Sequence, residues 1–559
     1  MSYVHVPPEL GHQLHDDHVL MSHLARVLPE EVRREVLPSL DALGGLAGGP
    51  LFRLQEEDRL NEPKLVQWDP WGNRVDRIEL TAVWKEAKRL ACEYGLIAVP
   101  YERRHGEHSR VHQAALIHLF HPATDIYSCP LAMTDGAAKT LVTHGATALA
   151  QRALPRLTSR DPSRSWTSGQ WMTEKIGGSD VGLSETRALA AGSQFKLFGS
   201  KFFTSAATSE MALTLARPEG NGPGGKGLAL YYLEVRDDQG RYNGITVERL
   251  KEKLGTRKLP TAELTLDGTL ATAVIGTTDG VRNITPMLNI TRLWNSLCAV
   301  STMRRALALA RDYARRRVAF GATLSHKPLH SDTLAGLQAE YEAAFQLAWI
   351  AVELIGKEEA KVATPEELAL LRLVTPLAKL TTGRQGVAMV SEAIESFGGA
   401  GYMEDTMLPV LLRDAQVMSI WEGTTNVLSL DVLRALVKDG TGPTLLALAT
   451  KLAGEAKDPA LVAAGRTATT ALGHALGWLV ETGSKDPAAA EAGARRVSLT
   501  LGRSLALASL VRHAQWSLEK EEDGRARAAA LRFAAHGVDV LGQGGPDAGA
   551  LARDEPLPV

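Results

Sequence analysis

Ser419-Ile-Trp-Glu-Gly-Thr-Thr-Asn426 is the stretch on which the reading of this chain turns. Its one carboxylate, Glu422, stands between a bulky aromatic, Trp421, and a glycine, among neighbours that read as buried helix and turn. A helix cap or an ion pair is the ordinary explanation for a charge in such a setting. The sharper one is a general base facing a dry pocket, where lost hydration makes a carboxylate a stronger base. The eight residues leave both open.

Outward from this stretch the chain is helical. Residues 304–317, 333–355 and 366–397 read as long helices, and helix continues around the motif over 408–438. Pro376 is a candidate kink, and Gly398-Gly399 a candidate helix end. Long helices with short loops over 283–438 predict an antiparallel four-helix bundle. Upstream, runs at 193–198, 212–216, 228–235 and 262–266 alternate or carry aromatics between Gly, Asn and Asp, and predict a small antiparallel β domain over 166–282. Gly222-Pro-Gly-Gly-Lys-Gly227 fits G-x-G-x-x-G, but it leads into a strand and contains Pro223. It reads as a mobile hairpin loop and not as a dinucleotide turn.

Residues 1–165 read mostly as helices, with Pro29 opening one, others at 80–94 and 137–144, and a turn at 68–73. Residues 439–559 are Ala- and Leu-rich and form an expected extra helical domain. The expected fold class is thus α+β multidomain, in four parts: 1–165, 166–282, 283–438 and 439–559.

Lys plus Arg total 62 against 64 Asp plus Glu, so nothing global points to nucleic acid or to a membrane surface. Cys92, Cys129 and Cys298 are scattered and lack metal spacing, which suits free thiols in a reducing compartment. No leader-like N-terminus and no apolar run of about 18 residues is present, so a cytoplasmic protein is expected. His105, His108, His112, His118 and His121 have spacings that a metal site could use. With Arg103 and Arg104 beside them and one interleaved acid, Glu107, they read as a polar helical surface, and no metal is expected.

Three further stretches look wrong for pure structure. Met172-Thr-Glu-Lys-Ile-Gly-Gly-Ser-Asp-Val181 joins hydroxyls to a glycine pair, which lets backbone N–H groups approach a polar ligand; a tight loop is the plain alternative. Lys201-Phe-Phe-Thr-Ser205 sets two aromatics before two hydroxyls, as the flanks of a flat ring or as core residues of a strand. Arg317-Val-Ala-Phe-Gly321 closes a helix with a cation suited to pyrophosphate or simply to the helix dipole.

In this order and spacing the stretches resemble the acyl-CoA dehydrogenase family. The resemblance rests on the Thr-Glu-x-x-Gly-Gly-Ser-Asp-Val loop, the Arg-x-x-Phe-Gly helix end, Phe397-Gly-Gly-Ala-Gly-Tyr402 and Trp421-Glu-Gly-Thr424, over about residues 80–438. Met172–Lys175, Thr186-Arg-Ala188, the stretch 249–255, Met303-Arg-Arg305 and the stretch 419–434 look closer to the AidB-type branch of that family, and extend the likeness over almost the whole chain.

The resemblance implies a helical N-terminal domain, a β domain and a helical bundle, with FAD between the last two, in a homotetramer built as a dimer of dimers. It implies that Met172, Thr173, Gly178 and Ser179 hold the flavin and its pyrophosphate region. Phe203 would flank the isoalloxazine where many relatives have Trp, followed by Thr204 and Ser205. Arg317 and Phe320 would reach the FAD of a neighbouring subunit, joined by Glu395, Gly398 and Gly399. Thr424 and Asn426 would hold FAD after the base, and Ser179 and Arg292 would touch an acyl-CoA substrate.

Glu422 falls on the family's catalytic glutamate, which removes the α-proton of the thioester while the β-hydrogen leaves as hydride to flavin N5. The resemblance specifies neither acyl chain length nor electron acceptor. Many relatives carry an acid where this chain has Asn289, three residues before Arg292. That change favours the alternative, an AidB-like flavoprotein with weak turnover that binds DNA or sequesters a fatty acyl ligand. Against DNA, residues 441–559 hold 13 basic and 13 acidic residues, whereas DNA affinity rests on phosphate neutralisation. Arg495, Arg496, Arg503 and Arg512 are the candidate basic stripe.

Overall fold

The computed structural model describes residues 6–542 and 547–557. The first part holds α1 (His18–Val27), α2 (Glu30–Gly48), α3 (Pro50–Glu57), α4 (Ala82–Glu93), α5 (Ala98–Glu102), α6 (Ser109–Phe120), α7 (Ser128–Thr143) and α8 (Thr147–Leu157). Asp17 and Thr81 start α1 and α4 by accepting a first-turn N–H. Pro29 lies one place outside α2, which runs on through Pro38. The turn at 68–73 closes a hairpin, β1 (Lys64–Trp68) with β2 (Arg74–Glu79), absent from the sequence reading. Its strands are short and charged, and tertiary bonds hold them: the Val247 N–H donates to Asp76 Oδ2 at 3.0 Å, and Gln67 donates to the Val247 carbonyl at 3.1 Å.

The five clustered histidines do not form a polar surface; none is exposed. His118 contacts Asp17 at 2.9 Å, His121 contacts Ser128 at 2.7 Å, and His112 contacts Ser39 at 3.1 Å. α6 is buried almost all round, so its histidines are internal hydrogen-bonding groups.

The middle sheet comprises β3 (Ser168–Trp171), β4 (Arg187–Ala191), β5 (Gln194–Thr204), β6 (Met211–Pro218), β7 (Ala229–Glu234), β8 (Ile245–Leu250) and β9 (Ala262–Ala273). Its order is β3-β6-β4-β5-β9-β7, with β8 on β9 and a further β6–β7 pairing that closes the sheet on itself. The ladders are antiparallel except where β3 and β4 run parallel to β6. The β4–β5 hairpin reverses the chain, and the turn after β5 restores the direction that β6 shares with β3 and β4. The loop between β6 and β7 is pinned, contrary to the mobile loop expected: Arg217 donates to the Gly222 carbonyl at 2.6 Å, and Asn221 to that of Thr277 at 2.7 Å.

The helical part that follows holds α9 (Gly280–Asn283), α10 (Thr285–Arg316), the two-residue strands β10 (Val318–Ala319) and β11 (Ala322–Thr323), α11 (Pro328–Ala360), α12 (Pro365–Glu395), α13 (Leu408–Val417) and α14 (Thr425–Lys438). Prolines in the first turns start α10, α11 and α12, and Thr364 with Glu367 forms a capping box on α12. Ser396 ends α12, and Gly398-Gly399 instead opens a 3-10 turn, Gly398–Tyr402.

The chain closes with α15 (Gly442–Gly454), α16 (Pro459–Lys485), α17 (Pro487–Lys520), α18 (Arg525–Ala535) and α19 (Ala548–Ala552). α17 packs on α11, α12 and α14, and one apolar core runs from Leu14 to Leu541. Arg495, Arg496, Arg503 and Arg512 are each partly buried. Arg503 is taken by Glu340 at 3.1 Å.

α1 and α17 meet at a clasp. Arg26 donates to Nδ1 of His513 at 3.1 Å and to Nδ1 of His23 at 3.2 Å, so each imidazole turns a lone pair to the guanidinium. Burial, then the neighbouring cations, hold both histidines well below the ordinary imidazole range. Burial likewise takes His121 down to about 3. The unfolded chain protonates these groups near pH 6.5 and the native one does not. Stability is therefore full above about pH 6.5 and falls on acidification, by up to about 1.4 kcal/mol per pH unit for each histidine. Thermal melts from pH 7.5 to 5.5 are expected to show a falling midpoint that becomes shallower in His513→Gln.

Candidate active site

Glu422 lies in the turn between α13 and α14, where the middle sheet meets the bundle. Its φ is 57° and that of Gly423 is 104°, so two successive residues occupy the left-handed region. A non-glycine residue there costs about 1–3 kcal/mol and persists only when its surroundings fix it. Those surroundings come from two helices. Arg292 of α10 donates to the Glu422 carbonyl at 3.3 Å, and Lys379 of α12 donates to that of Gly423 at 2.6 Å. Asn295 of α10 donates to the Met418 carbonyl at 2.9 Å and accepts the Trp421 indole N–H.

The carboxylate so aimed accepts the Thr291 hydroxyl at 2.6 Å on Oε2, with the Gln170 carboxamide of β3 at 3.5 Å from the same atom. Glu422 Oε1 takes no hydrogen bond among the described residues. Burial and the Glu422 charge act on Cys129 of α7 as well, whose thiol is pushed far up. Arg292 is neutralised by Asp431 at 2.9 Å, which also takes Arg372 at 2.7 Å.

The loop after β3 follows. The Thr173 carbonyl accepts the Phe202 N–H at 2.9 Å, which lays the loop along the end of β5. Thr173 and Ser179 have no hydroxyl partner among the described residues. A Cβ at Gly178 would lie 2.6 Å from Thr173 Oγ1, so the glycine keeps that hydroxyl open. The loop's acid, Glu174, is structural: Lys201 reaches it at 2.7 Å, Thr186 at 2.6 Å, and the Glu185 N–H at 2.6 Å. Burial opposes its charge, yet Lys201 holds the carboxyl below the usual range.

Phe203 is 51% exposed, and Lys251 sits 3.1 Å over the ring of Phe202 and 4.7 Å over that of Phe203. Thr204 is fully buried, its hydroxyl spent on the Ala262 carbonyl at 2.5 Å, and Ser205 contacts Thr261 at 3.4 Å. Met172 Sδ lies 3.5 Å from Gln170. Thr424 caps α14, and Asn426 accepts Arg495 at 3.4 Å.

Arg317, Phe320, Glu395, Gly398 and Gly399 are not brought to Glu422. Arg317 follows Thr291 by 26 positions, about 39 Å along a helix. Phe320 and Gly321 join β10 to β11 as a two-residue turn with φ of 50° and 78°. Positive φ at both positions is type I′ geometry, in which a bulky aromatic is an outlier. Phe320 is 96% exposed there.

Thr291, Gln170 and Lys379 were missed from sequence. Lys379 left a signal: it is the single charge in an apolar helical run, 373–380.

The chain matches three family descriptions: the acyl-CoA dehydrogenase C-terminal domain over residues 278–437, the adaptive response protein AidB N-terminal domain over 6–162, and the acyl-CoA dehydrogenase middle domain over 169–269. The chain belongs to the acyl-CoA dehydrogenase family. It is of the AidB type. It is 47% identical over 437 residues to acyl-CoA dehydrogenase family member 11 of Caenorhabditis elegans, covering 76% of this chain and 71% of that one. It is 32% identical over 390 residues to the putative acyl-CoA dehydrogenase AidB of Escherichia coli K12, covering 68% and 70%. The crystal structure of C. elegans ACDH-11 in complex with C11-CoA superposes with a TM-score of 0.94 at 40% identity, over 99% of this chain and 96% of that one.

Acyl-CoA dehydrogenases depend on FAD, and the residues here fit it. Open hydroxyls on Thr173 and Ser179, a half-exposed aromatic at Phe203 and a buried Gln170 Oε1 without a partner are what a flat polar ring and its phosphates require. Among the described residues no helix is long and apolar enough to cross a membrane.

Proposed function

We propose that this chain is an FAD-dependent acyl-CoA dehydrogenase in which Glu422 removes the α-proton of an acyl-CoA thioester. The observation that carries the reading is the carboxylate itself. It is aimed from a strained turn, with Oε2 held by Thr291 and Oε1 left to take a proton. Bound FAD supplies the acceptor for the β-hydrogen and its electron pair. Thr173, Ser179 and Phe203 would hold that cofactor, with Thr424 and Asn426 as further candidates, and Arg292 keeps the base's peptide in place. The C11-CoA bound by the C. elegans protein supports a CoA thioester as the ligand class. Anaerobic titration of the holoprotein with straight-chain and branched acyl-CoAs should bleach its flavin absorbance with at least one of them. Bleaching by none, with binding retained, would leave a sequestering flavoprotein.

The second cluster of sequence-identified residues serves a neighbour in a dimer of dimers. The helix length of about 39 Å from Thr291 to Arg317, the exposure of Phe320 and its strained turn support this. Phe320→Ala is expected to weaken FAD binding about tenfold, about 1.4 kcal/mol, in a fluorescence titration while secondary structure is kept. Unaltered affinity would remove Phe320 from the cofactor site.

A further inference from the structure

Lys379 is fully buried in the middle of α12, and it forms no ion pair at contact distance among the described residues. A lone buried ammonium is costly unless something nearby stabilises its charge. Its one hydrogen bond goes to the Gly423 carbonyl at 2.6 Å, the peptide that follows the base. The charges around that turn can be paired off. Arg292 belongs to Asp431, which takes Arg372 as well, so α10, α12 and α14 close an ion network of their own. Cys129, from α7, is a neutral thiol. Glu422 and Lys379 remain, each without a charged partner in contact.

We propose that Lys379 is the positioning residue and counter-ion of Glu422. Its N–H fixes the left-handed turn that aims the carboxylate, and its charge balances that of the carboxylate across the turn. The inference rests on Glu422 as the base. Burial draws the Lys379 ammonium down to about 7, with the Glu422 charge opposing that loss and the nearby Arg292 guanidinium adding to it. The two charges therefore depend on one another: when Glu422 is neutralised by a proton from substrate, the ammonium loses its stabilising anion.

The test uses FAD-loaded protein and three variants. Lys379→Met removes donor and charge, Lys379→Gln keeps a donor without the charge, and Lys379→Arg keeps both in another shape. In stopped-flow flavin reduction against pH, the acid limb is expected to move up by about one pH unit in Lys379→Met and Lys379→Gln and to return in Lys379→Arg. An acid limb that stays put in Lys379→Met and Lys379→Gln, with only thermal stability lowered, would make Lys379 structural and overturn the proposal.

A double-mutant cycle with Glu422→Gln, read by urea unfolding, needs no turnover. The double variant's unfolding constant is expected to lie at least fivefold nearer wild type than the product of the single effects. Additive effects would overturn the pairing. If no acyl-CoA reduces the wild-type flavin, the base reading fails while the cycle still reports on the pair.

Discussion

Glu422→Gln is expected to yield a yellow holoprotein whose flavin is no longer reduced by any acyl-CoA that reduces the parent. The substitution is nearly isosteric. The carboxamide oxygen it introduces still accepts the Thr291 hydroxyl that sits 2.6 Å from the native carboxylate, and the backbone bonds from Arg292 and Lys379 are untouched. What is lost is the ability to take a proton from carbon. Removing a positioned base costs about 10²–10⁴-fold, and a weakly acidic thioester α-proton puts the loss near the upper end. Stopped-flow bleaching measures it, with FAD content by absorbance as the control for folding. Reduction at the parental rate would transfer the role of base to another group.

Arg110→Met is expected to cost about 3–5 kcal/mol of stability, the range for breaking a buried ion cluster by removing one partner. Arg110 reaches Asp135 at 2.6 Å and Glu359 at 2.7 Å, and all three are almost wholly buried. Gln113 and the Trp294 indole also donate to Asp135, at 2.9 and 2.8 Å. Burial alone would raise the Glu359 carboxyl; the Arg110 and Lys139 charges hold it at about 2. Without Arg110, two carboxylates share a dry site with too few cations. Trp294 lies one turn from Thr291 on α10, so the loss is expected to loosen the site too. Urea unfolding gives the free energy, and Arg110→Met/Asp135→Asn should recover part of it. A loss under about 1 kcal/mol in the single variant, the range of a solvated pair, would mean that water enters and solvates the acids.

The candidate site was legible as far as it is written in short contiguous stretches. Glu422 and Thr424 share the turn that leads into α14, where Asn426 lies in the first turn of the helix, and Thr173, Gly178 and Ser179 share one loop. The residues that hold Glu422 were not legible, since Thr291, Gln170 and Lys379 come from α10, β3 and α12 and each is commonplace in its own segment. The long helices were readable from apolar spacing. The β1–β2 hairpin was not, because its strands are held by bonds to Val247, 171 residues beyond Asp76. The five histidines were misjudged for the same reason: polarity in sequence reads as surface, whereas α6 is enclosed by helices distant in the chain.

The clasp between α1 and α17 has a consequence for biosynthesis. Ser22 donates to Glu521 at 2.6 Å across 499 positions of chain. At translation rates of about 5–20 residues per second, the first helix waits about 25–100 s for its last partner to be made. Through that interval His23 and Trp349, whose side-chain nitrogens end up buried, have no finished site to enter. The N-terminal helix therefore completes its native contacts only after α17 has been made.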